Sequence, residues 1–228
     1  MSYSLVLLSA GSGKRMEHKI PKQFLMLAGK PVIMHTLERI DEIDEIDEIV
    51  IVANADYHEH IRILIHNRMI QKKCVLVEGG ATRQESTLNG INAATNDDII
   101  IHEAARPFVK KEEFSALIAC DAKNALYGAP INFTVLKGKD HVEELLERET
   151  LVNVQLPQKF NRNSLLAAHN KAKEEGKEFT EDASVLFEYS DEDISILKGS
   201  EYNIKLTTPV DMIIGEQIYR DYILNGEA

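Results

Sequence analysis

Along most of this chain, short β-branched apolar runs alternate with stretches whose apolar residues recur at helical spacing, and this alternation constrains the fold more than any other feature. The runs SLVLLS from Ser4 to Ser9, IVIV from Ile49 to Val52, CVLV from Cys74 to Val77 and DIIIH from Asp98 to His102 read as strands. Between them, PVIMHTLERI, Tyr57 to Ile70 and Gln84 to Ala94 read as helices. Regular βα alternation predicts a mainly parallel sheet covered by helices on both faces. The 228 residues suffice for one substantial core, and one domain spanning 1–228 is expected.

Two segments depart from the simple alternation. DEIDEIDEIVIVA, with isoleucines at 40, 43, 46 and 49, reads as a helix end feeding the second strand, its charges on a solvated face. After a helix through Ala119, the chain from YGAPINFTVLKG to Gln158 is rich in charge and turn residues without a helical stripe, which suggests an excursion from the sheet. The pattern then resumes: helices at Ser164 to Glu175 and Thr180 to Tyr189, a strand in DISILKG, and a final helix from Pro209.

Charge decides which ligands are plausible. A net charge of −11 opposes tight binding to nucleic acid or to an anionic membrane, yet a triphosphate can still be held where a few basic residues converge on one cleft. Cys74 and Cys120 form no CxxC pair and read as reduced thiols of a cytoplasmic protein. The N-terminal apolar run lacks a preceding basic residue and breaks at a glycine-rich turn, so it reads as a strand and not a signal peptide. No apolar stretch approaches the roughly 18 residues that span a bilayer.

Three polar clusters stand where strands end. The first, SAGSGKRM at 9 to 16, has glycines that let backbone N–H groups approach anionic oxygens. It lacks the GxxxxGK[ST] spacing of a P-loop and the third glycine of a dinucleotide fingerprint. Arg15 and Lys22, seven residues apart on that loop, would place cations where nucleotidyl transfer accumulates charge. EGGATRQEST at 78 to 87 adds Gly80, Arg83 and Ser86 at a helix start, and HEAARP adds Glu103 and Arg106. Open sheets of this kind bind ligands at the carboxyl ends of their strands. Glu103 has three open roles: holding Mg²⁺, bonding a hydroxyl, or ordering Arg106. His58, His60 and His66 read as one face of a charged helix, and no GxSxG elbow presents a nucleophile.

With these pieces in order, the chain resembles the cytidylyltransferases acting on 2-C-methyl-D-erythritol 4-phosphate, with the related ribitol 5-phosphate enzymes close behind. The matching segments are SAGSGKRM, PKQF, GKPVIMHTLE, GGATRQEST, HEAARPFV, LPQKF, TEDASVL and NIKLTTPVD. The resemblance implies a Rossmann-like α/β domain and a β-rich arm, about 134–158, that exchanges across a homodimer. It implies transfer of CMP from CTP to a small polyol phosphate with Mg²⁺ as cofactor, a step in making isoprenoid precursors. Carried over by position, Arg15, Lys22, Arg148 and Lys205 would be catalytic. Ala10, Gly11, Gly13, Gly80, Arg83, Ser86, Glu103 and Ala104 would hold CTP, and Arg106, Thr134 and Arg148 the polyol phosphate.

Three positions depart from the family pattern. Glu103 replaces an Asp, Leu156 a Thr before Pro-Gln, and Phe133 an Asp before the substrate threonine, and the last two would make the polyol side less polar. A ribitol 5-phosphate or other polyol-phosphate enzyme is therefore the alternative, and a CTP-binding module without turnover a second.

Overall fold

The computed structural model describes residues 2–11 and 20–224. In chain order, β1 (Tyr3–Leu8) is followed by a small hairpin, β2 (Met26–Leu27) and β3 (Lys30–Pro31), and by α1 (Val32–Asp41). Then come β4 (Ile46–Ala53), α2 (His58–Asn67), β5 (Lys73–Glu78), α3 (Arg83–Ala93), β6 (Asp98–Glu103) and α4 (Lys111–Ala119). The second half runs β7 (Asn124–Pro130), a hairpin of β8 (Val135–Gly138) and β9 (Val142–Leu146), β10 (Val152–Asn161), α5 (Arg162–Glu174), α6 (Asp182–Tyr189), β11 (Ile194–Lys198) and α7 (Pro209–Ile218).

Seven strands form the central sheet in the order β11-β7-β10-β6-β1-β4-β5. All neighbours are parallel except β10, which runs antiparallel to both β6 and β7. Successive side chains of a strand point to opposite faces, and here each face has its own apolar cover. Leu5, Leu7, Ile49, Ile51 and Ile100 meet Ile33 and Leu37 of α1 and Phe114 and Leu117 of α4. Val6, Leu8, Val50, Val52, Ile99 and Ile101 meet Ile91 of α3, Leu165 and Ala168 of α5, and Leu186 of α6. This is the mainly parallel, doubly covered sheet that the alternation predicts.

The connectivity creates a crevice. From β1 the chain adds β4 and β5 on one side, then crosses back to lay β6 on the other. Loops leaving β1 and β6 therefore diverge at their carboxyl ends, which is where open α/β sheets accept ligands.

Three readings need correction in detail. Helix α1 ends at Asp41 and β4 begins at Ile46, so the DEIDEID segment is mostly a turn, with Ile43 buried at its centre. Its charges are not all solvated: Glu48 is buried, and accepts hydrogen bonds from Ser4 Oγ at 2.7 Å, Thr95 N at 2.6 Å and Thr95 Oγ1 at 2.7 Å. Of the 134–158 segment, only β8 and β9 form a separate hairpin; residues 152–158 lie in β10, inside the central sheet.

Candidate active site

A cleft of about 540 Å³ opens at the carboxyl ends of β1 and β6. Its wall includes Ala10 and Gly11 after β1, Gly80, Arg83 and Ser86 around the start of α3, Glu103 and Ala104 at the end of β6, and Lys22 and Lys205 from two loops. Nine residues singled out from sequence thus share one wall. Gly13 and Arg15 lie outside the described residues.

Backbone contacts explain why these loops converge. Ala104 N donates to Leu8 O at 3.0 Å, Ser9 N to Val52 O at 2.7 Å and Gly79 N to Ala53 O at 3.1 Å, so the sheet ladder continues into each loop. A Cβ on Gly79 would stand 2.4 Å from Ala10 Cβ, so glycine is what lets the β5–α3 loop close against the loop after β1. Thr82 caps α3 by accepting from Glu85 N at 3.1 Å. The Ser86 hydroxyl accepts from Gly80 N at 3.0 Å and donates to Thr82 O at 2.9 Å, so it shapes the loop that carries it.

The two lysines are brought in from distant sequence. Gln23 Nε2 donates to Ser9 O at 2.6 Å and pins the Lys22–Phe24 turn to the end of β1. Leu206 N donates to Ala105 O at 2.8 Å and ties the Lys205 segment to the end of β6. Lys22 Nζ then donates to Leu206 O at 2.8 Å, placing both lysine-bearing segments side by side.

Glu103 is the electrostatic centre. Lys205 Nζ donates to its Oε1 at 2.9 Å and stands 2.8 Å from Oε2, Arg83 Nε donates to Oε1 at 3.3 Å, and Arg106 Nε lies 3.7 Å from Oε2. Burial pushes this carboxyl up, but Lys205, Arg83 and Arg106 together overcome it and hold the group down to about 2. Of the three roles left open by sequence, ordering cations is the one this geometry displays. Arg106 itself is absent from the cleft wall, largely buried, with Nη1 donating to Asn203 O at 2.9 Å.

No all-protein metal cage is built among the described residues. They contain no group of three or more His, Cys, Asp or Glu side chains arranged to hold an ion, and Glu103 is already engaged by three cations. His58 bonds Ala53 O at 3.0 Å, while His60 and His66 are exposed on α2.

The polyol-side residues stand elsewhere. Arg148 lies on a short turn after the hairpin, where its Nε donates to Glu149 Oε1 at 3.0 Å, in a second groove with Asn132 and Lys198. Thr134 and Phe133 are exposed at the base of the hairpin, Phe133 by 82%. Leu156 does not face the cleft: it is buried among Leu126, Phe160 and Leu165, so it changes core packing and not pocket polarity. Sequence reasoning passed over Gly79, Gln23 and Thr82, whose work is to hold the loops, and the Gly-Gly and Thr-x-x-Glu patterns were the available signals.

Comparison with known proteins places this cleft in context. A family model for 2-C-methyl-D-erythritol 4-phosphate cytidylyltransferase (IspD) matches residues 3–221. The chain is 39% identical over 222 residues to the 2-C-methyl-D-erythritol 4-phosphate cytidylyltransferase of Halalkalibacterium halodurans, covering 96% of this chain and 97% of that one. It is also 39% identical over 224 residues to the enzyme of that name from Clostridium botulinum strain Langeland, covering 94% and 96%. Among solved structures, 4-diphosphocytidyl-2C-methyl-D-erythritol synthase from Anaerococcus prevotii is similar with a TM-score of 0.86 at 26% identity, covering 96% of each chain. The Thermus thermophilus 2-C-methyl-D-erythritol 4-phosphate cytidylyltransferase follows with 0.78 at 25% identity, covering 96% of this chain and 100% of that one. By sequence, extent and fold, the chain belongs to the 2-C-methyl-D-erythritol 4-phosphate cytidylyltransferase family.

Proposed function

We propose that the cleft between β1 and β6 binds CTP, and that a phosphate oxygen of 2-C-methyl-D-erythritol 4-phosphate attacks the α-phosphorus there. The new P–O bond gives CDP-methylerythritol, and the bond to the β-phosphate breaks to release diphosphate. The observation that carries this reading is the convergence of Lys22, Arg83 and Lys205 on one cleft in a chain of net charge −11. The acceptor phosphate is already a nucleophile, so positioning and charge compensation suffice and no enzyme nucleophile is required. Lys205 meets the growing negative charge, with Glu103 orienting it, and Gly11, Gly80 and Ala104 line the approach; Arg15 and Gly13 are assigned to the same step on family resemblance alone.

Mg²⁺ enters in this reading on the triphosphate, whose oxygens supply most of its ligands, in keeping with its preference for phosphate oxygens and retained water. The reaction is cytoplasmic, in line with the free thiols of Cys74 and Cys120. No described helix is long and apolar enough to cross a membrane.

Arg148, Thr134 and Arg106 serve the acceptor phosphate, Arg148 and Thr134 from the arm of a second copy. Supporting this, Arg148 is absent from its own chain's cleft wall, and Phe133, Leu136, Val142 and Leu145 leave an exposed apolar surface on the hairpin. The acceptor is tested by supplying methylerythritol 4-phosphate and ribitol 5-phosphate in parallel with CTP and identifying the cytidine product by mass. CDP-methylerythritol is expected; CDP-ribitol alone would overturn the acceptor, and binding without any product would favour a non-catalytic module.

A further inference from the structure

Arg83 is gripped from behind as well as by Glu103. Its Nη2 donates to Asp182 Oδ2 at 2.9 Å and to Glu181 Oε1 at 3.3 Å, both at the start of α6, while Nε faces Glu103. The other oxygen of Asp182, Oδ1, lies 3.2 Å from Nε2 of His169 on α5, and both side chains are shut off from solvent. A line of contacts therefore runs from the core to the cleft: His169, Asp182, Arg83, Glu103. With Nε and Nη2 taken by carboxylates, Nη1 donates to none of the described residues, although Arg83 lines the cleft.

The two carboxylates at Arg83 Nη2 are not equivalent. Burial pushes Glu181 up. At Asp182 burial acts the same way, but Arg83 and then His169 overcome it and hold the group down to about 2. Asp182 is thus the carboxylate whose ionised form its surroundings favour. Isolating a carboxylate from water is unfavourable unless it is well paired, and here Oδ2 accepts from Arg83 while Oδ1 lies beside His169.

We propose that Asp182 is a positioning residue for nucleotide binding, locking the Arg83 guanidinium so that its remaining donor faces the triphosphate, with His169 fixing the Asp182 carboxylate from the core. This rests on the reading of the cleft as the CTP site. The test is a double-mutant cycle between Asp182→Asn and Arg83→Ala, read separately as KM for CTP and KM for the acceptor, together with CTP binding by calorimetry. Asp182→Asn should raise KM for CTP about tenfold while acceptor KM stays within about twofold. In the Arg83→Ala background the same substitution should change neither.

Additive effects, or an equal rise in both KM values, would show a merely structural role and overturn the proposal. Should Asp182→Asn fail to fold, His169→Gln removes only the support of Asp182; its CTP-specific rise should be smaller and should likewise vanish without Arg83. Failure of the unaltered protein to bind CTP would overturn the cleft reading and this inference with it. Intact CTP binding with additive effects would overturn the positioning role alone.

Discussion

Glu48 shows how a single residue escapes a pattern. In DEIDEIDEI it is one acid among many, yet strand β4 turns it inward, where Ser4, Thr95 and Lys73 surround it. Burial raises its pKa, but the hydrogen bonds from Lys73, Ser4 and Thr95 win and lower it from 4.5 to about 2. Its contribution to stability is therefore full above about pH 4.5 and is lost as pH falls through about 2. Glu48→Gln should cost about 2 to 3 kcal/mol at neutral pH, and the gap from the parent should close as pH falls from 4.5 toward 2. Chemical denaturation of both proteins across that range checks it; a gap independent of pH would contradict the pairing. Nothing in a run of similar acids marks which one is turned inward, because its partners come from β1, β5 and the loop after α3.

At the scale of elements, the strands built as short apolar runs were readable, and two strands of the central sheet without such runs, β7 and β10, were missed. β10 carries Gln155, Gln158 and Lys159 buried in the sheet, against every compositional expectation. Their partners are mostly distant: Gln155 Nε2 donates to Ser200 O at 2.8 Å, Lys159 Nζ to Cys120 O at 2.5 Å just past the end of α4, and Gln158 Nε2 to Glu181 Oε1 at 3.0 Å. Such long-range partners leave no local periodicity, which is why this stretch looked like an excursion. Helix α3 was legible, but not how closely it lies on the sheet. A Cβ at Gly90 would come within 2.4 Å of Val6 Cγ1 and 2.9 Å of Val52 Cγ2. Overpacking costs about 1 to 3 kcal/mol against a helix-propensity gain of about 1, so Gly90→Ala should be net destabilising. Thermal melting decides it, and a raised Tm would mean that α3 has room to lift.

For the whole molecule, most residues of the cleft were legible because they follow strand ends in short glycine and polar clusters, which the switch between β1 and β6 gathers. Arg148 and Thr134 were singled out only by resemblance, since they lie on an arm away from this chain's cleft. If a second copy covers that arm, Leu145→Asp should shift the protein toward monomer in sedimentation velocity and reduce turnover, because each cleft would lose its borrowed arginine. A monomeric parent with full activity would remove the arm from the site.

On the proposed reading, the cations of this cleft stabilise charge during nucleotidyl transfer. This is tested most directly by measuring diphosphate release from CTP and methylerythritol 4-phosphate by the parent and by Lys205→Ala. Loss of one such contact should remove roughly 3 to 4 kcal/mol of transition-state stabilisation, about a hundredfold to a thousandfold in rate, in a protein that still folds. Turnover by Lys205→Ala at the parent's rate would place the chemistry outside this cleft.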